Sequence, residues 1–176
     1  MSGMTLHRIK LSRIIGIVAL AALLITTNFQ RSAGGELQRE LPSDLSIKLE
    51  RTRCYGFCPS YLLTISATGK VTFEGRHSVK VIGPAQSSIT RQKLVELVRG
   101  FDDINYFGLQ NAYETPNDGC KDWVTDGPTA ITSFRVNGRS KSVRHYSGCR
   151  GIAVLKDLEK LEQAIDEATN VTQWIR

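Results

Sequence analysis

The first thirty residues constrain this chain most, because they decide on which side of a membrane the rest of it folds. Residues 1–13 carry Arg8, Lys10 and Arg13 and no acid, and residues 14–25 read IIGIVALAALLI. A short basic stretch followed by about 7–15 apolar residues is the layout of a secretory signal, and the basic side stays in the cytoplasm. We therefore predict that residues 1–30 are a signal peptide or an N-terminal membrane anchor, and that the following chain is exported.

The segment is either retained as a membrane anchor or removed by cleavage. A buried helix of a cytosolic domain is the alternative, but a helix that is apolar all round needs burial on every side. From Ile14 to Phe29 a helix runs about 24 Å, and Leu11 with a snorkelling Arg13 extends it toward the roughly 30 Å hydrocarbon core. No A-x-A sequence follows the apolar run. We expect an uncleaved anchor, with cleavage after Gly34 as the alternative.

All four cysteines lie behind this segment, at Cys54, Cys58, Cys120 and Cys149. An even number of cysteines in an exported chain indicates disulfides, and four cysteines allow three pairings. In the chain-entropy model, pairing the first two contributes about 2 kcal/mol and pairing the last two about 3.5 kcal/mol. The spacing alone does not choose between the pairings.

Two chemical uses of the cysteines compete with structural bridges. A redox pair is normally C-x-x-C with its first thiol at a helix N-terminus, whereas three residues separate Cys54 from Cys58 and Pro59 follows. A four-cysteine zinc site favours two closely spaced pairs, which Cys120 and Cys149 do not form. We predict structural disulfides, no metal and no cofactor, and keep a thiol–disulfide redox protein using Cys54 and Cys58 as the alternative.

The remaining chain divides into a linker and one domain. Residues 31–43 are polar, contain Gly34-Gly35 and Pro42, and predict a linker. Residues 44–176 then suit a single domain, since domains usually have about 100–200 residues. Three of the six net positive charges lie before residue 14. The remaining excess is too small for the basic face that nucleic-acid binding requires, so we expect no nucleic acid.

Apolar and polar residues alternate, as in half-buried strands, over residues 45–49, 61–65 and 71–73. Residues 79–81 suggest a fourth short strand. Asn137-Gly138 is the clearest hairpin signal, a type I′ turn, and it predicts two paired strands with Phe134 and Val143 on the inner face.

Two segments have helical periodicity. Thr90 is the expected N-cap of the first helix, and residues 151–169 predict the last one. The predicted fold is α+β: an antiparallel sheet of five to seven strands with two helices packed on one face, in the order β-β-β-β-α-β-β-α.

Two polar segments raise functional hypotheses. Residues 111–128 have no periodicity, and loops of that length are usually functional or cross-linked; Asp126 is expected to cap the turn at its end. Residues 127–156 hold six Lys or Arg and no acid. Arg135 and Arg144 in this segment belong either to an anion-binding strip or, as we favour, to strands that use charge to discourage aggregation. His145 has no identifiable Ser or Asp partner, so we expect a partly buried, hydrogen-bonded histidine and no catalytic residues.

Residues 51–61 (RTRCYGFCPSY) contain the pattern R-T-x-C-Y/F-G-x-C-P-x-Y, followed by G-x-V-x-F/Y-E-G at residues 69–75 and T-D-G-P-T at residues 125–129. Over roughly residues 47–168, the chain resembles a family of small exported bacterial proteins that share a domain of unknown function. The resemblance implies a single α+β domain behind a signal or lipoprotein anchor, with no assigned activity. Shorter members keep only the first cysteine pair, which implies separate Cys54–Cys58 and Cys120–Cys149 bridges.

These patterns predict a non-enzymatic domain in the bacterial cell envelope, in the periplasm or on the outer face of the inner membrane. The expected partner is an envelope protein or a cell-wall component, and the N-terminal segment is expected to contact the membrane. The expected binding surface is the cysteine turn, with Tyr55, Phe57 and Tyr61, together with residues 111–128. Asp126, Arg135 and Arg144 are further possible members of this surface. Packing of these aromatics in the core is the alternative, and no nucleophile–base pair supports a hydrolase.

Overall fold

The computed structural model describes residues 40–176. The predicted signal or anchor at residues 1–30 and residues 31–39 of the predicted linker lie outside the described residues. Within residues 40–176, no helix is both long enough and apolar enough to cross a membrane.

A seven-stranded sheet forms the centre of the domain. Its strands are β1 (Ser46–Arg51), β2 (Ser60–Ser66), β3 (Lys70–His77), β4 (Gly83–Ser88), β5 (Ala112–Tyr113), β7 (Thr129–Val136) and β8 (Arg139–Tyr146). A separate ribbon pairs β6 (Asp122–Trp123) with β9 (Cys149–Arg150). The helices are α1 (Arg91–Asp103), α2 (Leu155–Thr169) and the short α3 (Thr172–Ile175).

The order of strands across the sheet is β4-β3-β2-β1-β7-β8-β5. The predicted α+β class is confirmed, but the sheet is mixed, because β5 pairs with β8 in parallel and the other pairs are antiparallel. No tight turn joins β5 to β8, so nothing forces this pair into the antiparallel direction that hairpins impose.

The predicted hairpin is confirmed. Asn137 and Gly138 have φ values of 51° and 73°, and a type I′ turn needs positive φ at both positions. The register places Thr132 opposite Val143. Phe134 and Val143 consequently lie on the buried face of the sheet.

The prediction for the fourth strand was wrong in position. The strand lies at Gly83–Ser88, and residues 79–81 fold back over Gly75, where a Cβ would collide with the Val81 carbonyl oxygen. Pro84 lies within this strand, which is at the edge of the sheet, and an edge strand accommodates proline because its outer side has no partner to lose.

Both long helices pack on the same face of the sheet, as predicted. Thr90 caps α1 by accepting the Lys93 N–H at 3.3 Å, and Phe101 of α1 stacks on Phe134 with ring centroids 4.2 Å apart. α2 begins later than predicted, at Leu155, because Gly151 has a φ of 81° and cannot be helical there.

Asp44, just before β1, ties the start of the domain to the hairpin. Its carboxylate accepts the N–H groups of Gly138 at 2.7 Å and Asn137 at 3.0 Å. These hydrogen bonds lower the pKa of the Asp44 carboxyl below its ordinary 3.8. Since the folded state then binds this proton more weakly than the unfolded state, the stabilisation exists above pH 3.8 and is lost as the pH falls through the folded pKa.

We therefore expect Asp44→Asn to lower the melting temperature at neutral pH, and the gap to the native chain to shrink as the pH falls below 3.8. Thermal melts between about pH 7 and pH 2 test this. Glu74→Gln, at an exposed carboxylate on β3, is the control and should show no such convergence. A gap that stays constant with pH would contradict the assignment.

Candidate functional site

The turn between β1 and β2 is closed by a disulfide between Cys54 and Cys58, whose Cα atoms are 5.6 Å apart. Within it, Tyr55 is 90% exposed and Phe57 is 95% exposed. Two large aromatic side chains therefore stand in solvent on a covalently closed turn. Clustered exposed apolar side chains on a folded domain commonly mark an interaction site.

The loop that precedes β7 is held beside this turn by backbone hydrogen bonds. The Tyr55 N–H donates to the Asp126 carbonyl at 3.2 Å, and the Thr52 N–H donates to the Thr129 carbonyl at 2.9 Å. The Thr129 N–H donates in return to Thr52 Oγ1 at 2.8 Å. The two segments thus form one continuous surface.

The second disulfide, Cys120–Cys149, holds the same loop to β9. It is buried, and it places Trp123 opposite Cys149 in the β6–β9 ribbon. The Trp123 indole N–H donates to the Glu114 carbonyl at 2.8 Å, and the ring remains 47% exposed. We call the exposed apolar group formed by Tyr55, Phe57, Trp123 and Val124 the cystine-turn surface.

Tyr61 does not belong to this surface, which corrects the prediction. Its side chain is 1% exposed, because strand alternation places it on the inward face of β2 with Leu63 and Ile65. Trp123 is the aromatic residue that the prediction missed. A lone tryptophan three residues after a cysteine in a polar loop was the available signal.

The remaining predicted surface residues are spread over the molecule. Asp126 is exposed beside the cysteine turn, and its carboxylate accepts the Thr125 hydroxyl at 3.1 Å. Arg144 makes a two-point ion pair with Glu114, at 2.9 Å for each contact. Arg135 lies 3.9 Å from the Asp44 carboxylate. Both arginines project from the sheet face opposite the helices. In each case a nearby carboxylate balances at least part of the positive charge.

Beneath α2, five polar side chains form a network, which we call the buried polar network: Arg51, Tyr61, His145, Glu162 and Asp166. Arg51 donates to Asp166 Oδ2 through Nε at 2.9 Å and Nη2 at 2.8 Å. The Tyr61 hydroxyl donates to Asp166 Oδ1 at 2.7 Å. Both carboxylate oxygens of Asp166 are thereby satisfied.

Glu162 joins this pair to His145. Its Oε2 lies 3.7 Å from Arg51 Nη1, and its Oε1 lies 3.0 Å from His145 Nδ1. A carboxylate only accepts hydrogen bonds, so His145 donates from Nδ1. The other ring nitrogen, Nε2, makes no polar contact with the described residues. The expected burial and hydrogen bonding of His145 are confirmed.

The network shifts the ionisation of its members. Burial raises the pKa of the Asp166 carboxyl, and the Arg51 guanidinium and the Tyr61 hydroxyl oppose that shift. Burial also raises the pKa of the Tyr61 hydroxyl well above its ordinary 10. Tyr61 is consequently a neutral donor at any physiological pH.

The sequence showed only an indirect trace of this network. Arg51 and Asp166 are 115 positions apart, so no local pattern connects them. Glu162 and Asp166 nevertheless fall on the helical stripe formed by Leu158, Leu161 and Ile165. Two acids four residues apart within an apolar stripe are the signal of a buried polar partner on the facing sheet.

We expect Arg51→Met to lower the free energy of unfolding by about 3 kcal/mol or more, since removing one partner leaves a buried charge uncompensated. The double variant Arg51→Met/Asp166→Asn should lose less than the sum of the two single variants, because the amide still accepts from Tyr61 without needing a countercharge. Urea unfolding of the four proteins measures this. Additive losses would show that the ion pair does not couple the two positions.

The family model for a domain of unknown function, DUF6438, matches residues 45–169, from the start of the sheet to the end of α2, and so includes both disulfides and the buried polar network. None of the curated proteins matches the chain. The chain therefore belongs to the DUF6438 family.

Proposed function

We propose that this protein is an exported, non-enzymatic binding module and that the cystine-turn surface contacts its partner. The observation that carries the proposal is the exposure of Tyr55 and Phe57, 90% and 95%, on a closed turn. Neither ring contributes much burial to the stability of the domain. Aromatic side chains of this kind provide much of the binding energy at protein interfaces.

The surface is organised before any partner arrives. A disulfide flanks Tyr55 and Phe57 directly, and a second one holds the segment that carries Trp123. Backbone hydrogen bonds tie the two segments together. Ordering in advance reduces the entropy cost of association, so a small surface can bind usefully.

The direction of β1 sets where this surface lies. Asp44, bound to the hairpin, marks the end at which the chain enters the domain, and the cysteine turn follows the other end of β1. Six residues of strand separate these ends by about 20 Å. A domain held through its N-terminal side thus presents the cystine-turn surface away from the attachment point, toward an envelope protein or a cell-wall component.

Export rests on two features of the chain. Residues 1–30 have the layout of a secretory signal or anchor, and disulfides persist mainly in oxidising compartments. Together they support a location in the bacterial periplasm or on the outer face of the inner membrane. The intact mass of the exported protein separates a retained anchor from cleavage after Gly34.

The exposure of the Cys54–Cys58 turn favours a second candidate, a thiol–disulfide redox protein, because an exchange partner can reach the bridge. The turn leads into Pro59 and β2 rather than into a helix. It therefore lacks the helix N-terminus that commonly stabilises a reactive thiolate.

The binding proposal is tested with a photoreactive benzoyl-phenylalanine at position 57, introduced into the full chain in its native cell. We expect a protein adduct of defined mass, or retention on purified cell-wall sacculi, and loss of that signal when Tyr55→Ser is added. Both side chains are exposed, so these changes should alter stability by no more than about 0.5 kcal/mol.

The same probe at Ser140, exposed on β8, is the matched control and should give neither signal. An adduct shows a protein partner, and retention on sacculi shows a cell-wall component. If position 57 gives neither, or behaves like position 140, the proposed surface is wrong.

The redox alternative is tested by titrating free thiols with graded reductant and locating them by mass spectrometry. As structural bridges, both disulfides should persist to potentials below about −300 mV. A redox protein would instead open Cys54–Cys58 between about −270 and −120 mV, with Cys120–Cys149 intact. That second outcome would replace the binding proposal.

A further inference from the structure

A groove of about 790 Å³ lies between α2 and the segment that follows β8, beside the buried polar network. Its walls are apolar where Pro128, Ile152 and Leu155 line it, and His145 and Glu162 line its inner side. Small-molecule sites usually have this size, and eight of the fifteen residues that line the groove are polar or charged, which favours a polar ligand. The groove is distinct from the cystine-turn surface.

His145 leaves one ring nitrogen available in the groove. The residue is 8% exposed, and within residues 40–176 its ring makes one polar contact, from Nδ1 to Glu162. The lone pair of Nε2 therefore has no donor from this part of the chain. Nε2 is not among the buried polar atoms without a partner, so solvent reaches it, and a ligand hydroxyl can replace water there as the hydrogen-bond donor.

The rim of the groove carries positive charge. Arg150 and Lys156 are exposed there, and neither forms an ion pair with a described residue. Glu159 is the one exposed acid among the described residues of the groove. Two available cations against one acid favour a ligand that also bears an anionic group.

We propose that this groove binds a sugar acid, a small ligand that combines hydroxyl groups with a carboxylate. A ligand hydroxyl donates to His145 Nε2, and the carboxylate lies between Lys156 and Arg150. A simple anion without a hydroxyl fits the groove less well, because it has no hydrogen-bond donor for the lone pair of His145 Nε2. A metal ion fits less well, since the described residues contain no cluster of three His, Cys, Asp or Glu side chains.

The experiment is an NMR titration of the full chain in detergent micelles with D-glucuronate, following the His145 ring signals. D-glucose and acetate, each carrying one half of the proposed ligand chemistry, are titrated separately. We expect a saturable shift with glucuronate and at least about threefold weaker binding of either comparison compound, the size of one hydrogen bond or one weak ion pair. This comparison uses the unaltered protein.

Two sets of variants locate the site. His145→Asn keeps a side-chain N–H for Glu162 but removes the Nε2 acceptor, and backbone amide shifts then report glucuronate affinity, which should fall about tenfold. Arg150→Gln/Lys156→Gln should weaken glucuronate binding and leave glucose binding unchanged. Lys70→Gln, exposed on β3, is the charge-matched control and should bind like the native chain.

Several results would overturn the proposal. They are the absence of a saturable shift with glucuronate, equal affinity for glucose or acetate, and unchanged binding by His145→Asn. None of them bears on the cystine-turn surface, whose adduct test uses another part of the molecule.

Discussion

The domain depends on the burial of one face of β1, the first strand of the described residues and the central strand of the sheet. Ile47 and Leu49 on this face are fully buried, and Arg51, next on the same face, reaches across to Asp166 of α2. A strand paired on both edges and covered by helices has no room for a register shift, because a slip of one residue exposes every buried side chain. The position of β1 in turn sets the positions of β2 and β7, which pair with it, and of α2, which contacts Arg51.

The contact between β1 and α2 changes character along its length. Where Ile47 and Leu49 point, the interface is apolar, whereas around Arg51 it becomes the buried polar network. Ion pairs of this kind add little net stability, since desolvation offsets much of their attraction. They do require particular partners, and here Glu162 orients His145 through Nδ1, and His145 also lines the groove.

Both candidate surfaces lie where β1 ends. The cysteine turn follows Arg51 directly, and the groove includes Arg51 itself. Cys149 lines the groove, while its partner Cys120 begins the segment that presents Trp123. The second disulfide therefore borders both regions, and one end of the sheet collects the exposed aromatic rings, the buried histidine and both cross-links.

Much of the backbone was determined by the sequence itself. Asn137-Gly138 defined a hairpin down to its register, and Thr90 marked a helix start, because turn geometry and capping depend on adjacent residues. The tertiary structure alone decided which aromatics are exposed: Tyr61 packs inward while Tyr55 and Phe57 do not. It also decided that Arg51 meets Asp166, 115 positions away. Periodicity records that a side chain is buried, but a polar partner across the core is specified only when distant elements pack together.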